Sequence, residues 1–396
     1  MRRIRYAATV GVLAVVIAGC GPSYVDRDPV GPSPDGAAAG WRPIADSPLG
    51  PRTYVDSVWI GSELLIFGGA AMPPCPPGAD CVGPDGSQVR TDGAAYDPAS
   101  DTWRPIADLP LPLLQTRSTW TGSEVVVVGA PYDAQTAQPQ AAFAYDPVAD
   151  RWRQLPDPPE DAYRGVWSGT ELVFAASANR PQEGSPATGA DWALDPVAGT
   201  WRKLPADPSG ATFDRNVTWV GDRFLVTGLP NVDGHGSDGR PYRVAEYRPE
   251  TDAWTVLAPS TVGFWDSRFY FLDGKLVNPS QDANVATSDA LPPGGQLDLR
   301  TGRWTGIAQT PLTAEELFLG CPLPAVGPAG DWLIGGGPVL VSLDPPTTSF
   351  VADCADLTVP EVAAWTGDEL LVWGGPDADY RTTLNQGYRW TPPDPD

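Results

Sequence analysis

An aromatic ring returns at nearly constant spacing along most of this chain. Six tryptophans and one phenylalanine carry it: Trp41, Trp103, Trp152, Trp201, Trp254, Trp304 and Phe350. From Trp103 onward the steps are 49, 49, 53, 50 and 46 residues. Each ring from Trp103 to Phe350 follows by seven places one of Tyr96, Tyr145, Leu194, Tyr247, Leu297 and Leu343. Self-similarity at one period marks a single supersecondary unit copied along an array, because so small a unit buries its apolar face only against the next copy.

The unit reads as four strands. Residues 117–153 show it most clearly. Arg117, Ser118, Thr119 and Trp120 lead into the turn at 121–124, and the apolar run 125–128 follows. After a loop come the run 141–145, an Asp146-Pro147 turn and Arg151-Trp152-Arg153. Aromatic and β-branched runs bounded by Gly, Pro and Asp signal strands and turns. A glycine between two apolar runs suits a tight hairpin, since it accepts positive φ without steric cost. The hairpin recurs as Trp59-Ile60-Gly61, Trp167-Ser168-Gly169, Trp219-Val220-Gly221 and Trp365-Thr366-Gly367, and Asp273-Gly274 marks a fifth-unit copy. Several second strands end in a glycine pair: Gly68-Gly69, Gly335-Gly336 and Gly374-Gly375.

This pattern resembles the kelch repeat: a hydrophobic strand ending in Gly-Gly, then Tyr, then Trp about seven residues on. The match runs over roughly residues 41–391. The resemblance implies an all-β, kelch-type β-propeller of the galactose oxidase-like kind. Third strands carry Tyr96, Tyr145, Leu194, Tyr247, Leu297, Leu343 and Tyr388, which makes seven blades. Fourth strands carry only six of the aromatic rings after Trp41. Trp41-Arg42-Pro43-Ile44 repeats Trp103-Arg104-Pro105-Ile106, so the N-terminal strand is expected to complete the blade of Tyr388 and hide the open edges. The sixth unit departs most, with Phe350 for Trp and a proline-rich lead-in over 322–328. The recurring rings are expected to pack between blades.

The expected organisation is a lipoprotein signal peptide over 1–19, a flexible tether over 20–39 and a single propeller over 40–396. Arg2, Arg3 and Arg5 form a basic stretch before the apolar run 7–17. That run is shorter than the roughly 20 residues a membrane-spanning helix needs. Ile17-Ala18-Gly19-Cys20 then resembles a bacterial lipobox, which implies cleavage before Cys20 and acylation of its thiol. Loss of 1–19 removes three arginines and takes the net charge from −23 to −26. Such acidity argues against nucleic acid and against close contact with an anionic lipid surface. Membrane association is expected through the anchor alone, with the propeller a monomer outside the cytoplasm.

In that compartment the remaining cysteines, Cys75, Cys81, Cys321 and Cys354, read as an even, disulfide-forming set. The expected pairs are Cys75 with Cys81 and Cys321 with Cys354. A four-thiolate zinc site is the alternative, set aside because the pairs lie in distant blades. No metal or other cofactor is expected. A copper site of the galactose oxidase kind needs two histidines, and His235 is the only one.

Antiparallel strands put the short turns on one face and the long second–third loops on the other, over 70–93, 130–140, 176–190, 229–243 and 278–293. Long insertions on one face of a repeat array often mark the binding face. Near the starts of the innermost strands lie Arg52, Arg117, Arg164 and Arg215, with Asp266, Arg268, Glu315, Glu316 and Glu361 in later blades. In kelch proteins arginines at this level often line the ligand face. The resemblance thus implies that these four contact a carboxylate or acidic peptide, for which Arg has the bidentate geometry. Internal salt bridges to the many acids are the competing assignment. No Ser-His-Asp set assembles. The expected function is an anchored binding protein for an envelope protein, peptide or glycan, without turnover. The alternative is a sugar mutarotase or epimerase for an acidic sugar, with Glu315, Glu316 or Glu361 doing acid–base work opposite an arginine.

Overall fold

The computed structural model describes residues 41–76, 79–132, 139–159, 162, 164–176, 189–210, 212–230, 241–262, 269–278, 294–308, 327–329, 332–334, 339–343, 346–350, 359–377 and 379–391. Every regular element among them is a strand. Strand β1 is Trp41–Pro43. The first four-stranded sheet runs β2 (Asp56–Trp59), β3 (Leu64–Phe67), β4 (Gly93–Asp97), β5 (Thr102–Ile106). The second is β6 (Leu113–Trp120), β7 (Val125–Pro131), β8 (Ala141–Asp146), β9 (Arg151–Gln154). The third is β10 (Gly165–Trp167), β11 (Leu172–Phe174), β12 (Trp192–Asp195), β13 (Thr200–Lys203). The fourth is β14 (Thr212–Trp219), β15 (Phe224–Pro230), β16 (Arg243–Arg248), β17 (Ala253–Val256). The fifth is β18 (Tyr270–Leu272), β19 (Lys275–Asn278), β20 (Gly295–Asp298), β21 (Arg303–Gly306). The sixth is β22 (Gly327–Ala329), β23 (Trp332–Ile334), β24 (Val339–Leu343), β25 (Pro346–Phe350). The last has β26 (Val362–Trp365), β27 (Leu370–Pro376) and β28 (Thr383–Trp390), with β1 as its fourth member. Antiparallel four-stranded sheets in this succession are consistent with a β-propeller.

Each hairpin forms for a local reason. Gly61 and Gly122 sit at φ of 95° and 91°, a region that side chains avoid, so the first–second turn closes in two residues. The second strand is then an unbroken apolar run, because both of its faces are covered. Its period of two sends alternate side chains to different neighbours. Leu65 and Phe67 pack with Val125 and Val127 of the next sheet, while Leu64 and Ile66 pack with Leu371 and Trp373 of the last. Val126 and Val128 turn the other way, onto Leu172 and Phe174. The core is therefore a series of layers between successive sheets. Each fully buried aliphatic side chain in it contributes about 1.5–3 kcal/mol.

The recurring tryptophans do more than fill these layers. Trp41 is buried, but Trp103, Trp152, Trp201 and Trp254 are only half-buried at the outer strand. Their indole N–H groups donate to the segment leaving the preceding sheet, at Ala45 O (2.8 Å), Ala107 O (2.8 Å), Pro156 O (3.1 Å) and Pro205 O (2.8 Å). Outer strands are pinned within their own sheets by arginine–glutamate pairs. Arg104 reaches Glu63 at 2.6 Å, Arg153 reaches Glu124 at 2.5 Å, Arg202 reaches Glu171 at 2.8 Å and Arg42 reaches Glu369 at 2.7 Å. In each pair the acid is the hairpin residue immediately before the second strand.

Strand β1 pairs antiparallel with β28, Trp41 opposite Trp390 and Pro43 opposite Tyr388. The rings of Trp41 and Trp390 lie 6.2 Å apart. First strands of neighbouring sheets touch: β2 meets β6, β6 meets β10, β10 meets β14, and β26 meets β2. Cys75 and Cys81 lie at disulfide distance, with Cα atoms 6.0 Å apart. Cys20, Cys321, Cys354, His235, Glu315 and Glu316 lie outside the described residues.

Candidate functional site

The first strands carry the polar side chains worth following. Their common level is set by the hairpin tryptophans: three residues before Trp59, Trp120, Trp167 and Trp219 stand Asp56, Arg117, Arg164 and Asn216. Strand register agrees. Asp56 lies opposite Phe67, Arg117 opposite Val128 and Asn216 opposite Thr227, all at corresponding points of their second strands. Arg164 directly precedes Gly165, which pairs with Phe174. Two of the four expected arginines thus share one level on adjacent sheets. Arg117 is half-buried and Arg164 is exposed.

The other two lie elsewhere. Arg52 comes seven residues before its tryptophan and is 3% exposed. Its guanidinium grips Asp92 through two bonds of 2.8 and 2.9 Å and also donates to Gly50 O and Gly68 O. Arg215 falls in a register shift of β14, next to Asp214 at φ 48°, and its side chain is buried. It bonds Asp191 in the preceding sheet and, at 2.6 Å, Asp207. Burial opposes its charge, and the two carboxylates overcome that and hold the guanidinium's pKa above its ordinary value. Arg52 and Arg215 therefore bind acids of this chain.

Carboxylates complete the level. Asp56 Oδ1 accepts from its neighbour Ser57 N at 2.9 Å and from Ser118 Oγ of β6 at 3.0 Å, and the Thr116 side chain also lies against the carboxylate. Burial pushes its pKa up, against the pull of Ser118, Thr116 and the Arg117 charge. Glu361, one residue before β26, crosses to the start of β2, where it accepts the backbone N–H groups of Tyr54 and Val55. Burial raises its pKa as well, outweighing those two bonds. Tyr54 itself is held at φ 58°, an outlier for an aromatic residue, and is exposed. Backbone in such a conformation persists only when its surroundings over-determine it, and Glu361 supplies that constraint. Sequence reasoning named Glu361 but missed Asp56 and Tyr54. The spacing to Trp59 was a usable signal for Asp56; the tyrosine's conformation leaves none.

The loop joining β3 to β4 reaches both neighbours. Met72 O accepts from Thr383 Oγ1 of the last sheet at 2.9 Å, and Pro84 O accepts from Tyr132 OH of the second. The Cys75–Cys81 link lies between these anchors. Among the described residues no group of three or more His, Cys, Asp and Glu side chains could hold a metal, and no helix is long and apolar enough to cross a membrane.

No family model matches the chain, and no curated protein matches it.

Proposed function

We propose that the chain is a kelch-type, seven-bladed β-propeller closed by its N-terminal strand, exported and held at the membrane through acylated Cys20, which binds an envelope protein, peptide or glycan without turnover. Four-strand sheets, first-strand contacts that include β26 with β2, and the β1–β28 pairing support the closed ring. One observation carries the binding reading: the mixed-charge level of Asp56, Arg117 and Arg164 at the start of the first strands, on the side where the second–third loops emerge. Polar side chains on a rigid scaffold beneath long loops form an adaptable recognition surface.

The test is capture of partners from an envelope extract. Intact protein is compared with a form shortened in the loops 130–140, 176–190 and 229–243 and with Arg164→Ala. The control is Val148→Asp, at an exposed third–fourth turn. The reading expects the first two changes to lose the captured species and the control to keep it. Equal capture by intact and shortened proteins rejects it.

The acid–base alternative keeps one specific support: burial raises the pKa values of both Glu361 and Asp56, the direction that favours a general acid. NMR of anomer exchange with a panel of acidic sugars tests it, and no acceleration at high protein concentration removes it for that panel.

A further inference from the structure

Each sheet ends in an outer strand, and such an edge leaves a row of backbone N–H and C=O groups unpaired. Edges of this kind pair with other chains unless charge or proline blunts them. Six of the seven outer strands are blunted: β5 carries Arg104, β9 Arg153, β13 Arg202, β21 Arg303 and β1 Arg42, and β25 begins with Pro346. Strand β17 is Ala253, Trp254, Thr255 and Val256, with neither a charge nor a proline. Arg104, Arg153, Arg202 and Arg42 each follow their tryptophan directly, and in β17 that place is held by Thr255. The charge pair of this sheet lies further in, between Arg223 of the hairpin and Glu246 of β16 at 3.0 Å. Ala253, Thr255 and Val256 are exposed.

Register fixes which backbone groups are open. Leu257 N donates to Val244 O at 2.8 Å, and Val256, Thr255 and Trp254 lie opposite Ala245, Glu246 and Tyr247. Backbone groups alternate in direction along an antiparallel strand, so those of Val256 and Trp254 point away from β16. Where the chain leaves β17 there is a cavity of about 130 Å³, lined by Arg223, Glu246, Leu257, Leu297 and Gly302 among others. The fifth sheet has Leu297 and Gly302 at the positions that Tyr247 and Asp252 fill in the fourth. Thr255 lies directly opposite Glu246, so the two side chains share the sheet face that bounds this cavity.

We propose that β17 takes an extended, uncharged segment of a partner protein as a fifth strand, with an aliphatic side chain in the cavity. The backbone groups of Trp254 and Val256 supply the pairing, and alternation along the added strand puts every second side chain on the cavity's face. Arg223 and Glu246 already match each other, and Leu257 and Leu297 leave apolar wall for that side chain. A second copy of this chain fits less well. Pairing β17 with itself brings the copy's Ala253 and Thr255 to that face, too small and too polar for an apolar cavity, and sets two chains of net charge −23 side by side. This edge lies at the opposite end of its sheet from the first strand β14, so the proposal and its test are independent of the first-strand level.

The probe is a capped hexapeptide of alternating leucine and threonine. It is compared with the same peptide N-methylated at alternate amides and with one carrying alanine for leucine. Binding to the full chain is read from the backbone amides of Trp254 and Val256 by NMR. The parent peptide is expected to shift both signals and slow their hydrogen exchange, and each altered peptide to bind roughly tenfold more weakly. Thr255→Arg restores the residue of the other outer strands, and Val256→Pro removes an outward N–H without touching the ladder to β16. Each is expected to weaken the parent by a similar factor, while Val148→Asp, at an exposed turn of another sheet, leaves it unchanged. No shift at these amides, or equal binding of parent and methylated peptides, overturns the proposal. A concentration-dependent dimer in sedimentation that Thr255→Arg abolishes also overturns it, by assigning the edge to a second copy.

Discussion

Position 145 and the residue five places on are chosen together. Tyr96, Tyr145 and Tyr247 donate their hydroxyls to Asp101, Asp150 and Asp252 at 2.7–2.8 Å. Those aspartates sit at φ 48–52°, and Asp101 and Asp150 also accept the backbone N–H of Ala45 and Ala107 from the preceding sheet. Where the tyrosine becomes Leu194 or Leu297, the partner becomes Gly199 or Gly302, again at positive φ. Aspartate tolerates that conformation less well than glycine and stays only where donors await its carboxylate. Near Gly199 there are none of the usual kind, since Leu194 has no hydroxyl and Pro156, which accepts from Trp201, has no N–H. A Cβ at Gly199 meets nothing closer than Pro156 Cδ at 3.6 Å, so an aspartate fits. Leu194→Tyr and Gly199→Asp are each expected to destabilise singly. The pair together is expected to be about 1 kcal/mol more stable than the sum of the two changes, read as a double-mutant cycle in urea.

These carboxylates also set opposing pH dependences. Asp101 and Asp150 have lowered pKa values, chiefly from the Ala45 and Ala107 N–H groups and then the tyrosine hydroxyls. Their stabilisation is complete above the unfolded carboxylate range and is lost as pH falls through the lowered value. Asp150→Asn is expected to flatten the acid limb of a stability–pH curve. Glu361 titrates above its ordinary value, so folding favours its protonated form and its contribution declines as pH rises through the carboxylate range. The stability of Glu361→Gln relative to the native chain is expected to shift in the variant's favour over that same rise, as urea midpoints across pH would show. A flat difference contradicts the burial of Glu361.

At the scale of elements, β1 carries unusual weight for three residues. Trp41 and Ile44 are buried, and Ile44 N donates to Gly387 O at 3.1 Å. A Cβ on Gly387 would stand 2.6 Å from Ile44 Cδ1, so the segment after β1 approaches β28 as closely as glycine allows. Trp41→Ala removes the largest side chain of β1 and its contact with Trp390. It is expected to cost about 3–5 kcal/mol and to expose β28 as an edge, read as a lowered denaturation midpoint together with association in light scattering. The half-buried Trp254 has no such role, so Trp254→Phe is expected to cost about 1 kcal/mol, the hydrogen bond to Pro205 O.

At the scale of the whole molecule, Cys20 and the acidity belong to one expectation: a lipid holds the chain while a net charge of −26 after loss of 1–19 keeps it off anionic headgroups. Cys20→Ala is expected to move the protein from the membrane fraction to the soluble fraction of the producing cell. Retention in the membrane fraction refutes the anchor. Hairpin glycines, apolar second strands, the Tyr or Leu of the third strands and the recurring aromatic of the fourth were all legible, because each obeys a local period or a turn's φ requirement. Half of the site was legible too, through the three-residue spacing of Arg117 and Arg164 from their tryptophans.

Determined by the amino-acid order alone are the four-strand unit and its repeat, the turns, and the candidate polar positions, since these depend on neighbours within a few residues. Only the tertiary structure decided which charges are spoken for. Arg52 finds Asp92 at a separation of 40 residues and Arg215 finds Asp191 at 24, while Glu361 reaches Tyr54 across 307. A guanidinium looks the same in a sequence whether its partner is a distant acid or a ligand. Burial with a fixed counter-charge distinguishes the two, and that is a property of packed sheets.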